Sequence, residues 1–277
     1  MRIDPARCVA CGNCTYVCPM GAIAIDPAIK RAVVDGEECV ECYTCFEGMS
    51  QEHLNPTLVR VIRALLHVFR LRFDPEPDVC PTAAFAPEEL SWPRIVRRAF
   101  SDPRVPHEST GIGGRGTEEV KTNDVSGRVQ LGEAGFTIEF GRPAVGVYFR
   151  EIDKVTRGLA RVGVTFEKKN PVTSLMSDVP IGAIRGDILA EKILSAIVEV
   201  KVPVERVEEV IRTVWEIESQ IQTVIAIGVS TRCGEDGEEN VVAPVLEGLG
   251  YVPERAKTNI GLGRASNPVA AAAGERS

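Results

Sequence analysis

The spacing of the cysteines constrains this chain more than any other feature. Eight of its nine cysteines fall within the first 80 of 277 residues. Cys8, Cys11, Cys14 and Cys18, followed by Pro19, form a C-x2-C-x2-C-x3-C-P run, and Cys39, Cys42 and Cys45 repeat its first three positions. Where the repeat should supply a fourth cysteine stands Met49, whose thioether rarely replaces a thiolate. Cys80 is the alternative. Val17-Cys18-Pro19-Met20-Gly21-Ala22-Ile23 aligns with Val79-Cys80-Pro81-Thr82-Ala83-Ala84-Phe85, so residues 46–79 read as an insertion between the third and fourth cysteines of the second repeat.

A short loop carrying three thiolates can turn them towards one inorganic centre, its backbone N–H groups aimed at sulfur, while the fourth ligand arrives from elsewhere. Structural zinc uses paired C-x2-C knuckles rather than two triplets with a C-P tail. Disulfides are opposed by a reducing compartment. Soft thiolates in this pattern point to iron–sulfur chemistry. On these motifs, about the first 90 residues resemble two-cluster bacterial-type 4Fe-4S ferredoxins. The resemblance implies two 4Fe-4S clusters with crossed ligation. Cys8, Cys11, Cys14 and Cys80 would hold one, and Cys39, Cys42, Cys45 and Cys18 the other. It further implies single-electron transfer to or from a redox partner protein. The departure at Met49 makes the first cluster depend on Cys80.

Composition agrees with a chain of this kind. A length of 277 residues, 44% hydrophobic and 26% charged, suits about two soluble domains. No apolar run approaches the ~18 residues of a membrane span, so none is expected. The start, MRIDPARCVACGNC, lacks the apolar core of a secretory signal, which predicts a cytoplasmic protein. A net charge of −7 argues against a nucleic-acid binder that works by neutralising phosphates.

Within the insertion, Pro56–Phe73 reads as a helix with Leu58, Ile62, Leu65, Leu66 and Phe69 on an apolar face. Arg60, Arg63, His67 and Arg70 share another face, either a solvated exterior or a basic docking strip. Pro87–Pro106 is a basic connector containing a short helix around Arg94–Phe100. Gly111-Ile112-Gly113-Gly114-Arg115-Gly116 spells G-x-G-x-x-G, but no strand precedes it, so it reads as a glycine loop and not a dinucleotide fingerprint. Cys233, without a neighbouring base, reads as an ordinary loop thiol.

From residue 132 onward the periodicity changes. Phe136, Ile138 and Phe140 alternate with Thr137 and Glu139, as in a half-buried strand. Ile152, Val155, Leu159 and Val162 follow at helical spacing and Gly163 ends that helix. Val164–Lys168 and Lys192–Val202 read as strands. Pro203 opens a helix with the stripe Val204, Val207, Ile211, Val214 and Ile221, and Val224–Val229 form a last strand. The order is that of a ferredoxin-like βαββαβ sandwich, a fold that needs no cluster. The fold class is therefore α+β. The expected domains are 1–90 (the two-cluster module), 91–131 (a linker), 132–265 (the α/β domain) and 266–277 (a tail). The open face of such a sheet admits a homo-oligomer through the α/β domain.

Two segments, starting at Lys121 and Lys257, share K-T-N-x3-G-R. Lys121, Asn123, Arg128, Lys257, Asn259 and Arg264 are thereby a candidate anion site, against the reading of two polar glycine turns. Ser109 to Arg128, with Asn170–Leu175, resembles 6-hydroxynicotinate reductase-type proteins, which implies a ferredoxin-type reductase of an anionic aromatic or heteroaromatic substrate. That alternative stands beside the electron carrier, with an iron–sulfur redox sensor as a third.

Overall fold

The computed structural model describes residues 1–47, 55–71, 79–109, 111, 127–232, 241–252 and 258–263. The chain divides into two compact units, Met1–Ile95 and Val96–Ser277. Met49, Lys121, Asn123, Cys233, Lys257, Arg264, residues 112–116 of the glycine loop and the segment 266–277 lie outside the described residues. Among the described residues no helix is long and apolar enough to cross a membrane.

The first unit is made of short elements: β1 (Arg2–Ile3), α1 (Asn13–Val17), β2 (Ile23–Asp26), β3 (Arg31–Val34), α2 (Thr44–Glu47), α3 (Pro56–Val68) and β4 (Phe85–Ala86). β2 and β3 form an antiparallel hairpin, and β1 pairs antiparallel with β4. Its core joins Met1, Ile23, Tyr43, Ala84 and Phe85 to Cys8, Cys14 and Cys80. A unit this small has little apolar surface to bury, and metal centres commonly supply the missing stability.

α3 starts where the sequence says it should. Asn55 caps it, its side-chain oxygen accepting from the backbone N–H of Thr57 (2.9 Å) and Leu58 (3.3 Å), and Pro56 occupies the first turn. The helix ends at Val68, short of the expected Phe73, because Arg70 takes a left-handed φ of 56°. Asn55→Ala is expected to cost about 1 kcal/mol, visible as faster amide exchange at Thr57 and Leu58.

The faces of α3 follow the amphipathic expectation only in part, for Ile62 and Leu66 of the apolar stripe are half-buried. Leu58, Leu65 and Phe69 are exposed, and Val59 is the buried residue of the helix. Arg60 and Arg63 turn inward to backbone carbonyls, as described below. Neither side chain belongs to a purely solvated exterior.

The second unit contains α4 (Ile95–Ser101, which begins at the unit boundary), β5 (Glu133–Phe140), α5 (Phe149–Arg161), β6 (Thr165–Phe166), β7 (Ala196–Pro203), α6 (Val207–Glu218), β8 (Val224–Thr231), α7 (Ala243–Gly248) and β9 (Thr258–Gly263). Five strands form one sheet in the order β9-β8-β5-β7-β6, and every neighbouring pair is antiparallel. Ile138 lies between Val198 and Ile227, so one side of the pleat collects apolar residues from three strands. Ile152, Val155 and Leu159 of α5 and Val207, Val210, Ile211 and Val214 of α6 belong to the same buried cluster. Fully burying each such side chain contributes roughly 1.5–3 kcal/mol. Gly158 lets the two helices approach, since a Cβ there would collide with Ile217.

Three departures from the sequence reading have local causes. The expected strand Lys192–Val202 is two: Lys192–Ile193 pairs with Val147–Tyr148, and β7 pairs with β5. Pro203 ends β7 rather than opening a helix, and a 3-10 turn at Val204–Arg206 leads into α6. Thr258–Gly263, read as part of a glycine turn, forms the edge strand β9 along β8.

Candidate functional site

The two cysteine triplets sit on loops of the same construction. In the first, Cys8 N donates to Asp4 O (3.0 Å), and the Asp4 side chain accepts from Ala6 N (2.8 Å). In the second, Cys39 N donates to Asp35 O (3.0 Å), and Asp35 accepts from Glu37 N (2.8 Å). The backbone then turns left-handed at corresponding places, Ala10 and Glu41, then Gly12 and Tyr43.

The two C-P turns are equally alike. Ala22 N donates to Cys18 Sγ at 3.2 Å, and Ala84 N to Cys80 Sγ at 3.1 Å. Each turn also docks on the other repeat's triplet. Asp4 N donates to Ala84 O, and Asp35 N to Ala22 O, both at 2.7 Å. The turn of Cys80 therefore lies against the Cys8 loop, and the turn of Cys18 against the Cys39 loop.

Two cavities result. One, with about 310 Å³ of atom-free space including its open mouth, is lined by Cys8, Cys11, Cys14 and Cys80 among apolar neighbours such as Ile3, Ala32 and Phe85. The other, about 380 Å³ on the same measure, is lined by Cys18, Cys39, Cys42 and Cys45 with Met20, Ile23 and Val34. Among the described residues no three His, Cys, Asp or Glu side chains are placed to hold a single metal ion. The thiols surround a space instead of meeting at a point.

Burial and neighbouring thiols act together on these groups. Burial, then the thiols of Cys11, Cys8 and Cys80, push Cys14 up to about 12. Burial is also the main cause for Cys11, opposed by the Asn13 backbone N–H and reinforced by Cys80. In the second set, burial raises Cys45, with Cys42, Cys18 and Cys39 adding to it. Burial likewise raises Cys39, helped by Glu41, and Cys42, against the hydrogen bonds from Thr44. Four thiolates in such a space need positive compensation. Backbone donors supply a little of it, Cys8 Sγ accepting from Ala10 N and Ala32 N, both at 3.4 Å. A polynuclear iron core would supply the rest, and soft sulfur donors suit it. The residues present fit that group.

Residues 1–48 match the family model described as a 4Fe-4S dicluster domain. The dicluster domain thus covers both triplets and Cys18 and stops before Cys80. Over 42 residues the chain is 45% identical to "Ferredoxin-1" of Rhodobacter capsulatus, a stretch that is 15% of this chain and 62% of that protein. It is 43% identical over 42 residues to a "Ferredoxin-like protein in vnf region" of Azotobacter chroococcum mcd 1, with the same shares covered. The chain therefore spans less than two thirds of the length of these curated relatives. No solved structure matches the chain.

The dicluster domain differs between its halves in charge. Glu41, buried in the second loop, accepts from Arg94 (3.0 and 2.7 Å) and from the Met1 amine (3.1 and 2.9 Å). The first loop carries Ala10 at that position and is gripped by Arg60 and Arg63 of α3, a role that spacing along the helix shows as a shared face but not as a contact. Of the candidate anion site, Arg128 pairs with Glu167 (3.3 Å) and Glu199 (3.7 Å), and Asn259 lies opposite Gly228 in the edge ladder. Gly111 has a φ of 69°.

Proposed function

We propose that this chain is an iron–sulfur electron-transfer protein or subunit, in which Cys8, Cys11, Cys14 and Cys80 hold one 4Fe-4S cluster and Cys18, Cys39, Cys42 and Cys45 a second. The observation that supports it best is the pair of cavities, each walled by one triplet and the C-P cysteine of the opposite repeat. The match to a 4Fe-4S dicluster domain supports the kind of cofactor. When bound, each cluster takes up and releases one electron at a time. The protein's part is to present four thiolates, direct backbone N–H groups at them, and keep water from the apolar walls.

In the same reading residues 1–90 form the two-cluster module, with its helical insertion at 46–79, and 91–131 a linker. Residues 132–265 form the α/β domain, where a partner oxidoreductase docks. The first four strands of that sheet and the two helices between them follow β5-α5-β6-β7-α6-β8 with sheet order β8-β5-β7-β6, which supports a ferredoxin-like sandwich carrying β9 as an extra edge. The test is anaerobic reconstitution of the full chain, followed by iron and sulfide analysis and low-temperature paramagnetic resonance after reduction. About eight irons per chain and two interacting signals are expected for two such clusters. A colourless, iron-free product overturns the reading.

A further inference from the structure

The two thiol cavities differ in what holds their loops. On the first, Arg60 donates to the Cys8 carbonyl (3.2 Å), and Arg63 to the carbonyls of Val9 (3.2 Å) and Cys11 (2.9 Å). The Val9–Ala10 peptide carries the argument. Its oxygen accepts from Arg63, while its N–H donates to Cys8 Sγ at 3.4 Å. A guanidinium thus polarises an amide whose positive end faces the sulfur, and hydrogen bonds in series strengthen one another. In the second loop the corresponding N–H belongs to Glu41, whose carboxylate is buried beside the triplet. Its charge is met by Arg94, which also donates to the Gly36 carbonyl (3.1 Å), and by the Met1 amine, so the cations of that loop sit in an ion-pair cluster where the two of the first loop sit on carbonyls.

We propose that Arg60 and Arg63 are positioning residues that raise the reduction potential of the cluster on Cys8, Cys11, Cys14 and Cys80 above that of the cluster on Cys18, Cys39, Cys42 and Cys45. This rests on the ligation stated under Proposed function. Reduction adds a negative charge, and cations and N–H donors near the sulfurs favour its arrival. Arg60 and Arg63 lie three residues apart on one face of α3, so a single helix delivers both. The insertion that separates Cys45 from Cys80 is then also the device that makes the two sites unequal. At equilibrium, an electron entering by either cluster rests on the first.

The experiment is a paramagnetic resonance redox titration of the full chain carrying both clusters. The wild type is expected to give two one-electron components with different midpoints. In Arg60→Gln/Arg63→Gln the higher component is expected to fall. At a fixed applied potential its reduced-to-oxidised ratio drops about tenfold, equal to about 59 mV for a one-electron couple, while the lower component stays. Arg63→Lys, which keeps the charge but loses the planar fork, is expected to lie between the two. Arg60→Gln alone leaves both Arg63 bonds and is expected to move the same component by less. It decides the matter should the double variant hold only one cluster. Movement of the lower component, of both equally, or of neither overturns the proposal. Absence of any iron–sulfur signal in the wild type overturns the ligation reading instead.

Discussion

Cys80→Ser is expected to remove about half of the iron and sulfide bound by the reconstituted chain, and one of its two paramagnetic signals, while the other persists. The reasoning starts from the C-P turn. Two of its backbone bonds do not involve the thiol: Ala83 N donates to Cys80 O at 3.2 Å and Asp4 N to Ala84 O at 2.7 Å, and both survive the substitution, while the Ala84 N–H that now meets Sγ can be met by the serine oxygen. What changes is one donor atom in a cavity whose other thiols are Cys8, Cys11 and Cys14. A serine hydroxyl is a harder donor and seldom ionised, so the first site is left with three soft ligands. The second cavity takes its fourth thiol from Cys18 and loses nothing. Unchanged iron content and an unchanged spectrum would remove Cys80 from the ligand set, and with it the alignment of the two C-P turns.

Phe136→Ala should destabilise the second unit by about 3–5 kcal/mol, the usual cost of truncating a large buried side chain. Phe136 is fully buried in the central strand β5, between Val200 of β7 and Val229 of β8. Domains retain only about 5–15 kcal/mol in all, so the loss is a large fraction of what holds the sheet. Denaturant unfolding followed by the fluorescence of Trp215, which packs against this core, measures it. Leu131→Ala serves as the control, because that side chain is 71% exposed and surface changes usually stay within about 0.5 kcal/mol. Among the described residues Phe136 belongs to a core that contains none of the cluster-module cysteines, so the iron content of folded Phe136→Ala protein should match the wild type. A midpoint indistinguishable from that of Leu131→Ala would show that the sheet does not depend on this layer.

What was readable in the sequence was whatever repeats at short range. Phe136, Ile138 and Phe140 alternate with polar residues and lie in a strand that runs Glu133–Phe140. Gly163 follows helix α5 with a φ of 65°, the geometry expected of a helix-ending glycine. The alignment of Cys18-Pro19 with Cys80-Pro81 was legible because both turns use the same local bonds. Facing direction was not. Periodicity put Leu58, Leu65 and Phe69 on one side of α3 and Arg60 and Arg63 on another, but it cannot tell which side meets the protein. Here the carbonyls of the Cys8 loop, which no helix or strand satisfies, select the arginines. The edge strand β9 was invisible for a different reason. Thr258-Asn259-Ile260-Gly261-Leu262-Gly263 has poor strand propensity, and pairing with β8 supplies the hydrogen bonds that its composition does not advertise. The split of Lys192–Val202 likewise depends on which neighbours each half finds.

The exchange of C-P turns between the repeats has a consequence for the order in which the chain can be completed during synthesis. The pocket formed by Cys18, Cys39, Cys42 and Cys45 has all its sulfur once residue 45 has been added. Its counterpart waits for Cys80, 35 residues later (80 − 45). At about 5–20 residues per second, the downstream pocket has its four thiols roughly 2–7 seconds before the other, so on the ligation proposed above iron delivered to the nascent chain meets the downstream half first.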